Sequence, residues 1–215
     1  EQMALFKDMV AYQEEVRDPS RTAETLNRVI LQAKRASAPA QINIPRDFWT
    51  QVIDIELPAI VEFERPSGGE DAVNEAAELL SKAEFPVLLN GAGVVIGGAI
   101  EASIKLAERL DAPVCCGYQH NDAFPGSHPL FAGPLGYNGS KAGMELIAKA
   151  DVILALGTRL NPFSTLPGYG IDYWPKNAKI IQVDINPDRI GLTKPVSVGI
   201  VGDAKKVAAS ILDKL

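Results

Sequence analysis

The chain has little of what several kinds of functional site require. Its 215 residues contain two cysteines, Cys115 and Cys116, and two histidines, His120 and His128. Neither the number nor the spacing of these residues fits a zinc site, which needs spaced pairs of ligands. The cysteines are adjacent on a predicted strand, where side chains point to opposite faces, so we expect reduced core thiols and no disulfide.

Long apolar runs and clustered basic residues are also missing. The longest apolar runs, such as Val152 to Leu156, are far shorter than the roughly 20 residues that cross a bilayer. No charged-then-apolar signal segment opens the chain, so we expect no membrane partner and a cytoplasmic location. The formal net charge is -6 and the basic residues are scattered, which argues against a nucleic-acid partner.

The amino-terminal part of the chain is too short to form a domain of its own. Asp18 and Pro19 can cap and open a helix that Ala38-Pro39 ends, and a short alternating strand follows at 40–45. The residues that follow contain several prolines and glycines and show no helical or strand periodicity, which favours an interdomain connection. We predict the end of a larger domain at 1–48, a linker at 49–69 and a separate domain at 70–215.

Apolar strands and helices alternate in the region 70–215. The predicted strands are 86–90, 113–116, 151–156, 179–183 and 196–201, and the predicted helices are 72–83, 99–110, 140–148 and 204–212. Continuous apolar strands separated by helices indicate an α/β fold with a doubly wound parallel sheet. Its ligand crevice should lie beyond the carboxyl ends of the strands.

A glycine turn follows the first of these strands, where residues 90–97 are NGAGVVIG. Gly91 and Gly93 could let backbone amides approach a phosphate at a helix N-terminus. The spacing is GxGxxxG, however, and Gly117 follows the second strand where a dehydrogenase would carry an acidic residue. Two interpretations stay open, a tight turn that packs a helix on a strand and a nucleotide site; a dehydrogenase is not favoured.

Charged residues end the later strands. Arg159 after Gly157-Thr158 could hold a phosphate, carboxylate or sulfonate, or form an interdomain ion pair. Asp184 could accept from ribose hydroxyls or cap a helix, and for Asp203 we favour the N-cap. His120 and Asp122 lie in a long loop, where their separation does not establish an acid–base pair, and we favour a structural or surface role for His120.

Four stretches together resemble the central domain of one enzyme family. They are PVLLNGAG at 86–93, AFPGSHPL at 123–130, GTR at 157–159 and QVDIN at 182–186. They are similar to the thiamine-diphosphate enzymes that include acetohydroxyacid synthase, pyruvate oxidase and oxalyl-CoA decarboxylase. The lead-in PAQINIPRD at 39–47 resembles the last strand of that family's pyrimidine-binding domain.

Further strings resemble an acetyl-transferring branch of the family. They are YQEEVRDP at 12–19, IPRDFW at 44–49, CCGYQHND at 115–122 and TLPGYG at 165–170. The resemblance implies a parent enzyme that converts sulfoacetaldehyde and phosphate to acetyl phosphate and sulfite. It also implies thiamine diphosphate and Mg²⁺ bound outside this chain, other domains of the same enzyme as partners, and a homodimer or homotetramer.

The resemblance also suggests where a nucleotide could bind. In flavin-bearing relatives, the central domain holds FAD at seven positions. In this chain the matching residues are Gly91, Gly93, Gly117, Gly157, Arg159, Asp184 and Asp203. Whether ADP or FAD binds here is left open by the residues, since flavin is not needed for a reaction without redox chemistry.

The catalytic half-sites of this family are not found in the sequence. The chain has no counterpart of the glutamate that activates the cofactor, and Gly202-Asp203-Ala204 departs from the Gly-Asp-Gly stretch that holds magnesium. We therefore expect the chain alone to be inactive and assign it no catalytic residue and no metal ligand. The alternatives are a non-catalytic module that binds ADP, FAD or a CoA-like ligand, and a fragment of an acetolactate synthase-type carboligase.

Overall fold

The computed structural model describes residues 1–59 and 62–215, which form two compact units, Glu1–Phe63 and Glu64–Leu215. The predicted linker 49–69 includes residues 60 and 61, which lie outside the described residues. Within the described ranges, no helix combines the length and the apolar character that a membrane crossing requires.

The first unit consists of a parallel strand pair connected by one long helix. Its elements are α1 (Gln2–Phe6), β1 (Tyr12–Glu15), α2 (Thr22–Ala36) and β2 (Ala40–Asn43). Arg28 on α2 donates two hydrogen bonds to Glu14 on β1, at 2.8 and 2.7 Å, which holds the helix against the strand. These hydrogen bonds lower the pKa of Glu14 to about 2.

The predicted helix start is confirmed, whereas β1 lies outside the predictions. Asp18 accepts a hydrogen bond from the Ser20 amide and begins a 3-10 turn, Pro19–Arg21, that leads into α2. Strand β1 is Tyr-Gln-Glu-Glu, which has no apolar alternation, so the sequence pattern carries no signal for it. The strand pairs in parallel with β2.

The second unit contains a six-stranded sheet and five helices in its described residues. In chain order they are α3 (Glu70–Ser81), β3 (Pro86–Asn90), α4 (Ala92–Ile96), α5 (Ile100–Leu110), β4 (Val114–Cys116), β5 (Phe131–Pro134), α6 (Lys141–Ile147), β6 (Val152–Leu156), β7 (Lys179–Asp184), β8 (Val198–Val201) and α7 (Ala204–Leu212). The strand order is β5-β4-β3-β6-β7-β8, and every adjacent pair is parallel.

This order confirms the predicted doubly wound α/β fold. The chain builds outward from β3 to β5, then returns to place β6 on the other side of β3 and continues to β8. The neighbouring strands β3 and β6 therefore form the topological switch point, where ligand crevices of such folds open at the carboxyl edge.

Alternate residues of the strands enter two separate cores. Leu88 and Leu154 pack on the face that α3, α5 and α7 cover, while Leu89 and Ile153 pack on the face that α6 covers. Cys115 and Cys116 are fully buried free thiols on opposite faces, as expected from their positions on a strand. Because both faces of the sheet are covered and kept from water, the strands are continuously apolar.

Strand β5 lies in the region expected to be a loop. Its sequence, Phe-Ala-Gly-Pro, contains a glycine at φ +104 and a proline, both of which oppose a strand prediction. The strand forms at the edge of the sheet. A proline is tolerated there because one side of an edge strand has no neighbouring strand to receive a backbone hydrogen bond.

Asp151 links the amino ends of β3 and β6. Its carboxylate accepts hydrogen bonds from the backbone amides of Glu84 at 2.7 Å and Phe85 at 2.9 Å. Burial disfavours the charged carboxylate, but these backbone donors outweigh burial, so the pKa of Asp151 lies below its ordinary value.

We predict that Asp151→Ala lowers the free energy of unfolding of the chain by about 1–2 kcal/mol, because two amides lose their acceptor. Since the pKa is depressed in the folded state, this stabilisation is present above about pH 4 and is lost as the pH falls through the folded pKa. Urea unfolding across a pH series measures it. Asp213→Ala, which removes an exposed carboxylate after α7, is the control, and equal midpoints at neutral pH would contradict the prediction.

Candidate functional site

The predicted site glycines lie in the second unit, where strands pass into turns at the carboxyl edge of the sheet. The Gly91 amide donates to the Leu156 carbonyl of β6 at 3.0 Å, and the Gly157 amide donates to the Val183 carbonyl of β7 at 2.9 Å. The Gly117 amide donates in the same way to the end of β3, at 2.8 Å. These amides extend the hydrogen-bond ladder of the sheet by one residue on each strand.

The turns after β3 and β6 contact each other through their backbones. The Gly93 amide donates to the Gly157 carbonyl at 2.8 Å. A Cβ built at either residue would lie 2.7 Å from the Cα of the other, and Gly157 has φ +61. Only glycine allows backbones to approach this closely in this conformation. We call this contact between Gly93 and Gly157 the switch-point contact.

The glycine turn therefore has its amides engaged within the protein. Gly91 and Gly93 both donate to backbone carbonyls, and the helix that follows, α4, has only five residues. This geometry favours the interpretation of the glycines as a tight turn that packs a helix on a strand. It leaves a diphosphate no free amide on either glycine.

Arg159 follows β6 and Asp184 is the last residue of the neighbouring β7, so both lie at the same edge of the sheet. The Asp184 side chain is buried, and its Oδ1 accepts a hydrogen bond from the Asn186 amide at 2.9 Å. Among the residues that the structure describes, the cation within 4.0 Å of this carboxylate is Arg189. Arg159 is exposed, and its side chain is free to meet a ligand or another domain.

Gln182 is a buried residue of this edge that the sequence analysis did not identify. Its Nε2 donates to the carbonyls of Thr158 and Arg189, both at 3.1 Å, and its Oε1 accepts from the Gly191 amide at 2.8 Å. The side chain thereby joins the turn after β6 to the loop after β7. The signal that could have identified Gln182 is a polar residue flanked by apolar residues within the strand KIIQVD.

Asn90 is a second buried amide that the sequence analysis did not assign. Its Nδ2 donates to the Ser103 hydroxyl on α5 at 2.8 Å and to the Ala123 carbonyl at 3.0 Å. Its Oδ1 has no hydrogen-bond partner among the described parts of the chain. Asn90 ties the end of β3 to a helix and to the loop after β4.

The remaining titratable candidates have structural or surface positions. Asp203 caps α7 by accepting from the Lys205 and Lys206 amides, which confirms the favoured N-cap, and its Oδ2 lies 3.0 Å from Arg65. His120 Nδ1 lies 3.8 Å from Asp122 Oδ1, too far for a hydrogen bond. The two side chains therefore do not form an acid–base pair in this structure.

Comparison with known proteins identifies the family. The family model described as thiamine pyrophosphate enzyme, central domain, matches residues 73–211. The chain belongs to the thiamine pyrophosphate enzyme family. This membership confirms the resemblance to its central domain that the strand-end motifs predict.

Three curated relatives illustrate two activities by their names. Over the whole chain, identity is 83% to sulfoacetaldehyde acetyltransferase of Roseovarius nubinhibens and 70% to that of Rhodobacter capsulatus. It is 34% over 99% of the chain to a probable acetolactate synthase large subunit of Methanocaldococcus jannaschii. The chain spans 36% of the length of the first two relatives and 37% of the third.

Two solved structures have a fold similar to that of this chain. Benzoylformate decarboxylase of Polynucleobacter necessarius superposes with a TM-score of 0.79 at 25% identity, covering 96% of this chain and 38% of that one. The 4-hydroxybenzoylformate decarboxylase of Rhodococcus jostii RHA1 gives a TM-score of 0.78 at 24% identity, covering 99% of this chain and 41% of that one.

The cofactor that names the thiamine pyrophosphate enzyme family does not fit the residues present here. Within 1–59 and 62–215, no group of three or more His, Cys, Asp or Glu side chains could hold a metal ion. Asp203, in the stretch that departs from Gly-Asp-Gly, has both carboxylate oxygens engaged by its helix cap and by Arg65. In the described part of the chain, the stretch 202–204 therefore does not offer the free carboxylate that a metal–diphosphate site needs.

We predict that Gly157→Ala destabilises the chain by at least about 2 kcal/mol, because a Cβ meets the Gly93 backbone and a left-handed φ disfavours alanine. Gly69→Ala is the matched control, since Gly69 has ordinary φ and no atom within 4 Å of a built Cβ. Urea unfolding midpoints of the two variants test this. A Gly157→Ala chain as stable as the Gly69→Ala chain would show that the switch-point contact can relax without cost.

Proposed function

We propose that this chain is the central part of a thiamine-diphosphate-dependent acetyltransferase that converts sulfoacetaldehyde and phosphate to acetyl phosphate and sulfite. The observation that supports this most strongly is identity of 70–83% over the whole chain to curated sulfoacetaldehyde acetyltransferases, against 34% to an acetolactate synthase relative. Such a difference favours the acetyltransferase over the carboligase.

In the proposed enzyme, this chain contributes to two domains, and the catalytic groups lie in other parts of the enzyme. Residues 1–48 would end a pyrimidine-binding domain, 49–69 would connect, and 70–215 would form the central domain. Thiamine diphosphate, with Mg²⁺, supplies the nucleophilic carbon when it is bound by other domains of the same enzyme, which we propose assembles as a homodimer or homotetramer. The cytoplasmic location stays a prediction.

The contribution of this chain is a rigid frame at the carboxyl edge of the sheet. The switch-point contact fixes the turns after β3 and β6, and Gln182 fixes the loop after β7 to the second of these turns. The central domain therefore acts by holding loops in place, which requires an ordered backbone and no titrating group.

The full-length enzyme should form acetyl phosphate and sulfite from sulfoacetaldehyde and phosphate when thiamine diphosphate and Mg²⁺ are present. The 215-residue chain should form neither product, because both catalytic half-sites lie outside its sequence. Assays of both products measure this, with pyruvate as the competing substrate. Formation of acetolactate from pyruvate without acetyl phosphate would assign the enzyme to the carboligases instead.

The nucleotide site stays a second proposal, supported by the exposed guanidinium of Arg159 at the same edge as Asp184. The glycine amides are engaged, so Arg159 would have to provide most of the attraction for a diphosphate. The seven matched positions, from Gly91 to Asp203, would then lie around an ADP or FAD molecule. A non-catalytic ADP, FAD or CoA-like module is the corresponding alternative function.

We expect ADP or FAD, if either binds, to bind more tightly than inorganic phosphate, because Asp184 repels a bare phosphate and can accept from ribose hydroxyls. Arg159→Ala should weaken the nucleotide at least about threefold, whereas Arg109→Ala on α5 should not. Calorimetry on the three proteins decides between the outcomes. Equal affinity in the Arg159 and Arg109 variants would remove Arg159 from the site, and no heat with any nucleotide would leave the domain a scaffold.

A further inference from the structure

The loops after β5 and β6 present an exposed apolar surface. Its side chains are Tyr137, Phe163, Leu166 and Tyr169, with exposed fractions of 77%, 54%, 51% and 66%. We call these four residues the apolar platform. The segments that carry them, 129–140 and 160–171, contain no charged residue.

Close packing and hydrogen bonds fix the backbone of the two loops that carry the apolar platform. A Cβ at Gly136, which has φ +91, would lie 1.8 Å from the Phe163 carbonyl oxygen, and the Tyr137 amide donates to that oxygen at 3.1 Å. The buried Tyr173 hydroxyl donates to the Ser164 carbonyl at 3.0 Å. The two loops therefore form one ordered surface, and its exposed side chains are not a consequence of loose structure.

Tyr169 has a backbone conformation that its residue type does not favour. Gly168 and Ile171 exchange hydrogen bonds at 3.2 and 2.8 Å around Tyr169-Gly170, which both have positive φ, at 52 and 73°. A two-residue hairpin of this kind favours Asn-Gly, and a tyrosine there pays in backbone strain. Since Tyr169 is 66% exposed and little of it is buried within this unit, its presence at this tip points to a contact outside the unit.

We propose that the apolar platform is the docking surface for a thiamine-diphosphate-bearing domain of the same enzyme. The proposal rests on the proposed function. The chain spans 36% of the length of its curated relatives, so most of such an enzyme lies outside residues 1–215. The centres of protein interfaces are rich in Tyr and Phe and poor in charge, as the platform is.

The position of the platform favours a thiamine-diphosphate-bearing domain as the partner that covers it. The platform lies on loops that leave the carboxyl ends of β5 and β6, the side on which doubly wound folds place their ligands. A domain docked there faces the one edge of the sheet where this chain gathers its turns and its exposed Arg159. Burial of the four side chains also removes their apolar surface from water, which stabilises the assembled enzyme.

Hydroxyl-radical footprinting of the full-length enzyme tests the proposal. We expect the platform residues to be labelled at least about fivefold more slowly than their exposure in this chain implies, because docking excludes water. Leu192, which is 75% exposed in the loop after β7, is the internal control for Leu166. Labelling of Leu166 as fast as that of Leu192 overturns the proposal, and so does protection that disappears when subunits dissociate on dilution, which assigns the surface to a second copy.

Tyr169→Asn separates docking from local stability. The change creates the favoured Asn-Gly turn and removes the ring, so local structure alone predicts a hairpin at least as stable as before. Docking predicts the opposite sign, with Phe163 and Leu166 labelled at least about twofold faster in the full-length variant. Unchanged labelling of these two residues in the variant overturns the proposal.

Activity distinguishes this proposal from the proposed function. An enzyme that forms acetyl phosphate while its platform is labelled like Leu192 overturns the docking surface and leaves the function intact. A protected platform in an enzyme that makes no acetyl phosphate overturns the function and retains the docking surface.

Discussion

The close approach of the Gly93 and Gly157 backbones is the constraint on which the carboxyl edge of the sheet depends. These residues belong to turns from the two halves of a doubly wound sheet, and the halves of the sheet are joined where β3 pairs with β6. With any side chain at either position, one turn would have to move outward. The start of α4 and the direction of the chain toward Arg159 both follow from this contact.

Buried amide side chains carry the same order to the neighbouring loops. Gln182 uses its donors and its acceptor to join the loops after β6 and β7, and Asn90 joins β3 to α5 and to the loop after β4. Gln182, whose donors and acceptor are all bonded, gives these loops one preferred arrangement. These side-chain hydrogen bonds thus tie the loops at the carboxyl edge of the sheet to one another.

Much of the fold follows from local pattern, because buried parallel strands are continuously apolar and their helices are amphipathic. The strands around Leu88, Leu154 and Ile181 and the cap at Asp203 are of this kind. The pattern contains no signal for β1, whose residues are polar, or for β5, which contains glycine and proline. Both strands depend on a neighbouring strand for their existence, and pairing partners are not encoded locally.

The sequence by itself determined the fold class, the family and the turns in which site residues lie, since these depend on periodicity and on short motifs. Only the tertiary structure decided what those residues do. It brought Gly93 against Gly157, engaged the glycine amides with carbonyls and placed Arg189 beside Asp184. The physical reason is that an amide's partner and a carboxylate's nearest cation are set by strand order and loop packing, which join residues far apart in the chain.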